Sequence, residues 1–151
     1  MKTPNVNRIN GRFFEVAFER FGGYGGLLVL RNPLACRFLP GRATVPIKSQ
    51  LDYTVVHKTG VVAFVDCKSF VGSTFSFSSL NSRQVELARR FNKWNVRAGF
   101  ACWFREGDKV SYFSGDRLIE RRSYSAEDGL VLGTLSSMKL ELIFASYGEK
   151  Y

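Results

Sequence analysis

Apolar side chains recur at helical spacing in two parts of the chain. Residues 11–21 place them on one stripe, and the glycine cluster at 22–26 ends that segment. Residues 82–94 repeat the pattern. The stripes consist of Phe14, Ala17, Phe18 and Phe21 in the first segment, and Val85, Leu87, Ala88, Phe91 and Trp94 in the second. This period predicts two amphipathic helices, the second capped by Asn81 or Ser82.

Shorter apolar runs bounded by turn residues predict strands. The runs are 27–31, 52–56, 61–68, 99–105 and 109–113. The third run, VVAFVDCK, is apolar on both faces as far as Asp66, which is typical of a central strand buried on both sides. The turn HKTG between the second and third runs makes them hairpin neighbours. Segments 130–135 and 139–144 fit either strands or short helices.

The order of these elements predicts an α/β fold, with a mixed central sheet flanked by helices. The length of 151 residues suits a single domain. Residues 1–10 are expected to form a flexible arm. Residues 32–50, which include three prolines, are expected to form a long basic loop or a shortened stalk. The Ser/Thr-rich stretch GSTFSFSSL at 72–80 is predicted as a further strand.

Charge and cysteine content narrow the choice of partner and compartment. The chain has 22 lysines and arginines against 13 acids, a net charge of +9. So basic a small domain favours nucleic acid, although a basic surface can also serve solubility alone. Cys36, Cys67, Cys102 and the single His57 exclude a zinc site of the usual spacing and favour free thiols. We therefore expect a cytoplasmic protein with no membrane partner and no small-molecule cofactor.

Acidic residues in this basic chain are the candidates for chemistry. Asp66 and Lys68 stand two positions apart on a predicted strand, so both side chains emerge on one face. Asp52 opens the neighbouring strand of the hairpin and could approach Asp66 within metal-bridging distance. Two carboxylates, a main-chain carbonyl and waters would suit Mg²⁺ or Mn²⁺. The alternatives are an ordinary ion pair at a strand end and, for Asp52, an acid that blocks edge pairing.

Each predicted helix contributes one further polar candidate. Glu15 lies beside the apolar stripe of the first helix, where it is either a third acid of the site, solvated, or paired with Arg12 or Arg20. Gln84 lies in the first turn of the second helix. Taken alone, Gln84 reads as a solvent-facing helix residue.

Together, these residues resemble the PD-(D/E)XK nuclease superfamily. The ordered pattern reads Glu15, Asp52, Asp66-Cys67-Lys68 and Gln84. Over residues 8–113 the chain looks most like the RecU-type Holliday-junction resolvases of bacteria and phages. Three features depart from that pattern: Leu51 replaces the proline, Asp66 replaces the commoner glutamate, and segment 32–50 is short where those resolvases carry a stalk.

The resemblance implies a restriction-endonuclease-like core and a metal-dependent endonuclease acting on branched DNA. Glu15, Asp52, Asp66 and the main-chain carbonyl of Cys67 would hold Mg²⁺, with Mn²⁺ able to replace it. Lys68 would orient or activate the attacking water, and Gln84 would position water or phosphate. Symmetric nicking of a four-way junction would need a homodimer, with two active sites related by a two-fold axis.

Several other residues are expected to bind the DNA backbone, which gives affinity with little sequence information. The candidates are Arg31, Arg37, Arg42, Lys48, Ser69, Thr74, Arg83, Arg89 and Arg90. The alternative for Arg89 and Arg90 is a solvated helix face.

Two alternatives to a junction resolvase stay open at the level of the sequence. One is a nuclease acting on other branched or flapped DNA. The other is a non-catalytic nucleic-acid-binding module, in which exposed phenylalanines stack on bases. The biological setting also stays open among recombination, repair and processing of phage DNA.

Overall fold

A computed structural model describes residues 6–33, 36–37, 40–41, 45–46, 50–120 and 123–145 of the chain. The first helix, α1 (Val6–Tyr24), contains the predicted segment 11–21 and begins five residues earlier. Residues 6–10, expected to belong to a flexible arm, are therefore helical, and residues 1–5 lie outside the described part. The amides of Gly25 and Leu27 donate to carbonyls of the last turn and close the helix at the glycine cluster.

The strands of the described residues are β1 (Leu28–Arg31), β2 (Cys36–Arg37), β3 (Val45–Pro46), β4 (Tyr53–Val56), β5 (Val62–Phe70), β6 (Thr74–Phe75), β7 (Arg97–Phe104), β8 (Lys109–Ser114), β9 (Tyr124–Ser125), β10 (Leu130–Thr134) and β11 (Ser137–Met138). Seven of these strands form one sheet, in the order β1-β4-β5-β7-β8-β10-β11. Strand β5 pairs antiparallel with β4 and parallel with β7, so the predicted mixed sheet and its central strand are confirmed.

The connection between β5 and β7 contains the second helix, α2 (Ser82–Lys93). Parallel strands need such a crossover, and this one lies on one face of the sheet while α1 lies on the other. The side chain of Asn81 accepts hydrogen bonds from the amides of Arg83 and Gln84, at 3.0 and 3.3 Å, so Asn81 is the N-cap. The cap fixes the first turn of α2 beside the sheet.

Each face of the sheet has its own apolar core. On the α1 side, Phe14 and Phe18 pack with residues of β4 and β5 such as Val55 and Val65. On the α2 side, Val85 and Ala88 pack with an aromatic cluster. The largest fully buried rings of that cluster are Phe100, Phe104 and Phe113. None of the described helices is long and apolar enough to cross a membrane.

Four segments differ from their predictions or settle an open choice. The stretch 72–80 forms only the short strand β6, followed by a single helical turn at Phe77–Ser79. Its serines bond locally instead of to a neighbouring strand, since Ser79 Oγ donates to the Ser76 carbonyl at 2.6 Å. Segment 130–135 contains β10, and segment 139–144 leads into the short helix α3 (Leu142–Ala145). Within 32–50, β2 and β3 pair as a small ribbon.

Candidate active site

Asp52 and Asp66 lie side by side at the start of the β4–β5 hairpin. Tyr53 pairs with Val65, which places the preceding Asp52 opposite Asp66. The amide of Asp52 donates to Asp66 Oδ1 at 3.2 Å. The amide of Cys67 donates to Asp52 Oδ2 at 3.3 Å. Each carboxylate is thus held by a backbone group of the other strand, and the hairpin brings the two acids together.

Asp66 is a buried carboxylate, with a relative exposure of 0 %. Burial raises the pKa of Asp66 to about 7; the Lys68 ammonium opposes this rise, and the neighbouring Asp52 carboxylate adds to it. The Lys68 ammonium lies 2.9 Å from Asp66 Oδ2 and is itself partly exposed. The ionised form of Asp66 is therefore costly unless a second cation joins Lys68 beside it.

Gln84 connects α2 to this carboxylate. Its Nε2 donates to Asp66 Oδ1 at 2.9 Å and to the main-chain carbonyl of Gln50 at 3.0 Å. Gln84 is only 7 % exposed, so it is not the solvent-facing residue that its position in the helix alone suggests. Within the described part of the chain, the buried Gln84 Oε1 has no hydrogen-bond partner. The side chain thus keeps one free acceptor beside the acids.

The backbone around Asp52 is fixed by Asn32, a residue that the sequence analysis missed. The Asn32 amide nitrogen donates to the Asp52 carbonyl at 2.7 Å, and its side chain donates to the Leu51 carbonyl at 2.8 Å. Thr54 Oγ1 in turn donates to Asn32 Oδ1 at 2.7 Å. No pattern in the sequence marks Asn32, because it lies in the long segment after β1 and its partners are about twenty residues away.

Glu15 does not join the two aspartates but pairs with Arg31 of β1. Arg31 reaches Glu15 at 3.1 Å and Glu19 at 2.9 Å, and it also donates to the Tyr53 hydroxyl at 2.9 Å. Tyr53 donates to Glu19 at 2.7 Å, and burial together with this bond raises the pKa of Tyr53. The sequence analysis missed Glu19, although its i, i+4 spacing from Glu15 puts both acids on one side of α1.

Asp52 and Asp66 are the side chains of this site that a divalent cation could bind. Within the described residues, no three His, Cys, Asp or Glu side chains gather into a group that could hold a metal ion. Asp52 and Asp66 do come together, and Mg²⁺ in proteins is commonly bound by one or two carboxylates with waters and substrate phosphates. Burial raises the pKa of the Cys67 thiol, so its side chain is a poor ligand. The pair of carboxylates fits Mg²⁺, with Glu15 and the Cys67 carbonyl remaining predicted ligands.

The predicted DNA-binding residues differ in their exposure and in their partners. Arg31 is engaged by acids, and Arg89 donates to the carbonyls of Gly115 and Leu118, so both guanidinium groups have protein partners. Arg83, Arg90 and Thr74 are exposed. Ser69 Oγ is buried, and no partner for it lies among the described residues. Arg42, Lys48 and the side chain of Arg37 lie outside the described part.

The fold matches the 1.6 Å structure of Hjc, a Holliday junction resolvase from the archaeal hyperthermophile Archaeoglobus fulgidus, with a TM-score of 0.56. The two chains share this fold. The match covers 80 % of this chain and 95 % of the archaeal chain at 15 % sequence identity, so the likeness is one of architecture. No family model matches the sequence, and no curated protein does.

Proposed function

We propose that this chain is a metal-dependent DNA endonuclease that cuts four-way junctions. The observation that carries the proposal is the buried Asp66, held by Gln84 and Lys68 beside Asp52, on a fold shared with a Holliday junction resolvase. Buried, perturbed carboxylates with a specific charge partner are common at catalytic sites. A basic chain with a net charge of +9 suits a nucleic-acid substrate.

In the proposed reaction, Asp52 and Asp66 would hold a divalent cation, which would supply a water of lowered pKa and offset the charge of the phosphodiester. Lys68 stands at the edge of the site, where its ammonium can leave Asp66 Oδ2 for a phosphate oxygen or hold the attacking water. Gln84 Oε1 is an acceptor for the same water. Asp66 Oδ1 is already fixed by Gln84 and the Asp52 amide, so the site needs little rearrangement.

The DNA backbone is proposed to run along the exposed side of α2. Arg83 is the second residue of α2 and directly precedes Gln84, and Arg90 lies two turns further along the same helix. Both side chains are exposed. Phosphate contacts of this kind provide affinity without sequence readout, and they weaken as salt is raised. Symmetric cutting of a four-way junction further requires two copies of the chain, related by a two-fold axis.

The test is cleavage of a labelled four-way junction beside a linear duplex with the same arms, in Mg²⁺, in Mn²⁺ and with chelator. Wild type is compared with Asp66→Asn and with Glu106→Gln, a matched control that removes an exposed acid from the turn between β7 and β8. We expect paired nicks in the junction alone, lost with chelator and in Asp66→Asn but kept in Glu106→Gln. Normal cutting by Asp66→Asn would overturn the metal site.

The same assay separates the alternatives. Equal cutting of the duplex, or of flapped substrates in preference to the junction, would replace the resolvase with a nuclease for other DNA. Tight binding without cutting in any metal would favour a non-catalytic binding module. A second pair, Lys68→Ala and the exposed control Lys139→Ala, isolates the ammonium: only the first is expected to slow cleavage, while its metal binding persists.

A further inference from the structure

Helix α1 carries an apolar stripe on the side that faces away from the sheet. Ile9, Phe13, Val16 and Tyr24 are all exposed, with Phe13 at 61 % and Tyr24 at 72 %. Their spacing places them on one side of an α-helix, over a length of roughly 22 Å. Arg20 lies within the stripe, with its guanidinium carbon 5.7 Å from the centre of the Tyr24 ring.

This stripe is additional to the face that α1 buries. Phe14 and Phe18 are fully buried against the sheet, so α1 is apolar on two opposite sides. A helix that is apolar on both sides is normally covered on both sides. Exposed apolar side chains that cluster on one side of a helix mark an interaction surface more often than single scattered ones do.

We propose that the stripe of α1 binds the same stripe of a second copy, with the two helices antiparallel. The order of residues along the stripe is self-complementary about a two-fold axis between Val16 and Ala17. In that register Phe13 lies opposite Arg20 of the other copy, and Ile9 lies opposite its Tyr24. Phe13 thereby gains a cation to cover its ring, and the apolar ends of the stripe cover each other.

The surroundings of the stripe favour a second copy over DNA or a lipid surface. The exposed cations Arg83 and Arg90 lie on α2, on the opposite face of the sheet, so the proposed DNA path does not cross α1. Glu15 and Glu19 occupy the side of α1 next to the stripe, where both pair with Arg31. Arg12 is also exposed on this helix, so α1 carries charges of both signs, whereas a helix on a membrane surface has a polar side rich in lysine and arginine.

The inference names the partner surface of the proposed homodimer, and rests on the proposed function only for its effect on cleavage. Specific interfaces bury on the order of 1,200–2,000 Å² in total, and a single helix pair offers only a small surface for this. We therefore expect a dimer that dissociates on dilution. A single copy would retain its own Asp52 and Asp66 and could still nick one strand.

The first test measures mass by sedimentation over a concentration series. Val16→Glu places a charge near the axis, and Leu30→Glu is the matched control, since the two side chains are 51 % and 47 % exposed. We expect wild type and Leu30→Glu to form dimers and Val16→Glu to stay monomeric. A wild type that is monomeric throughout, or dissociation by Leu30→Glu alone, would overturn the α1 interface.

The second test uses disulfide trapping and leaves the stripe apolar. In a Cys36→Ser background, Val16→Cys should form a covalent dimer on mild oxidation, while the exposed control Val131→Cys should not. Equal trapping of both variants would contradict the proposed register. Cleavage by Val16→Glu is measured separately. A monomeric variant that nicks single strands but makes no paired cuts supports the interface. A variant that loses paired cuts but keeps a dimeric mass would overturn the link between the interface and cleavage.

Discussion

Gln84 of helix α2 holds Asp66 of strand β5: its Nε2 lies 2.9 Å from Asp66 Oδ1, and the same nitrogen donates to the Gln50 carbonyl. Both partners are acceptors, which fixes the orientation of the amide and leaves Gln84 Oε1 as the free atom. The first turn of α2 is therefore attached to the buried carboxylate and to the backbone just before β4. The packing of α2 and the position of the Asp66 carboxylate therefore both depend on the Gln84 side chain.

The first prediction concerns this coupling. Gln84→Ala removes a donor from a buried carboxylate, so the free energy of unfolding should fall by about 1–3 kcal/mol, and cleavage should slow with it. Urea unfolding and the rate of junction cleavage measure the two effects. Glu106→Ala, at an exposed acid in the turn between β7 and β8, is the control and should change neither. Equal stability of the two variants would mean that the Gln84 contact contributes nothing to the fold.

Metal binding can be measured without cleavage. A divalent cation that binds the folded chain raises its melting temperature in proportion to the logarithm of its concentration. We expect Mg²⁺ and Mn²⁺ to stabilise the wild type and Glu106→Gln, and to leave Asp66→Asn unchanged, because Asn cannot supply the negative oxygen. Thermal unfolding followed by circular dichroism gives the readout. A metal-induced shift that persists in Asp66→Asn would place the cation elsewhere.

Arg31 and Arg90 were both predicted to bind phosphate, but their surroundings differ. Arg31 separates Glu15 from Glu19, so Arg31→Ala should lower the free energy of unfolding by about 1 kcal/mol and leave the salt dependence of DNA binding unchanged. Arg90→Ala should leave stability within about 0.5 kcal/mol of wild type and reduce the slope of log K against log salt by about one. A reduced slope in Arg31→Ala would restore its predicted phosphate contact.

The sequence predicts what depends on local pattern. The periodicity of 82–94 and its cap locate α2, and a four-residue turn is enough to bring Asp52 opposite Asp66. The resemblance to nucleases gave Gln84 the role of positioning water or phosphate, but its contact with Asp66 was not predicted, since the spacing of Gln84 alone indicates solvent. The sequence thus predicts contacts between partners that are close in the chain, and it fails for partners that are far apart.

Contacts between distant segments could not be predicted in this way. Arg31 finds its acids 12 and 16 positions earlier, and Arg89 finds the Leu118 carbonyl 29 positions later. In both cases the charge alone suggested DNA, whereas the packing of elements supplies protein acceptors. The exposed apolar side of α1 was also not predicted. Phe13 and Val16 lie next to the residues of the core stripe in the sequence, so nothing marked them as a second apolar side.

The alternative of a nucleic-acid-binding module assigns exposed phenylalanines to base stacking, and Phe75 tests whether such a ring belongs to the core instead. Its ring is buried among four others: Phe70, Phe104, Phe113 and Tyr124, with centroids 4.7–5.9 Å away. Phe75→Ala should therefore lower the free energy of unfolding by about 3–5 kcal/mol, and Phe75→Leu by less, because more of the cavity stays filled. Trp94→Ala, at a highly exposed ring, should leave stability unchanged. Urea unfolding of the three variants decides the point. A Phe75→Ala variant with wild-type stability and weakened DNA binding would reassign this ring from the core to the nucleic-acid surface.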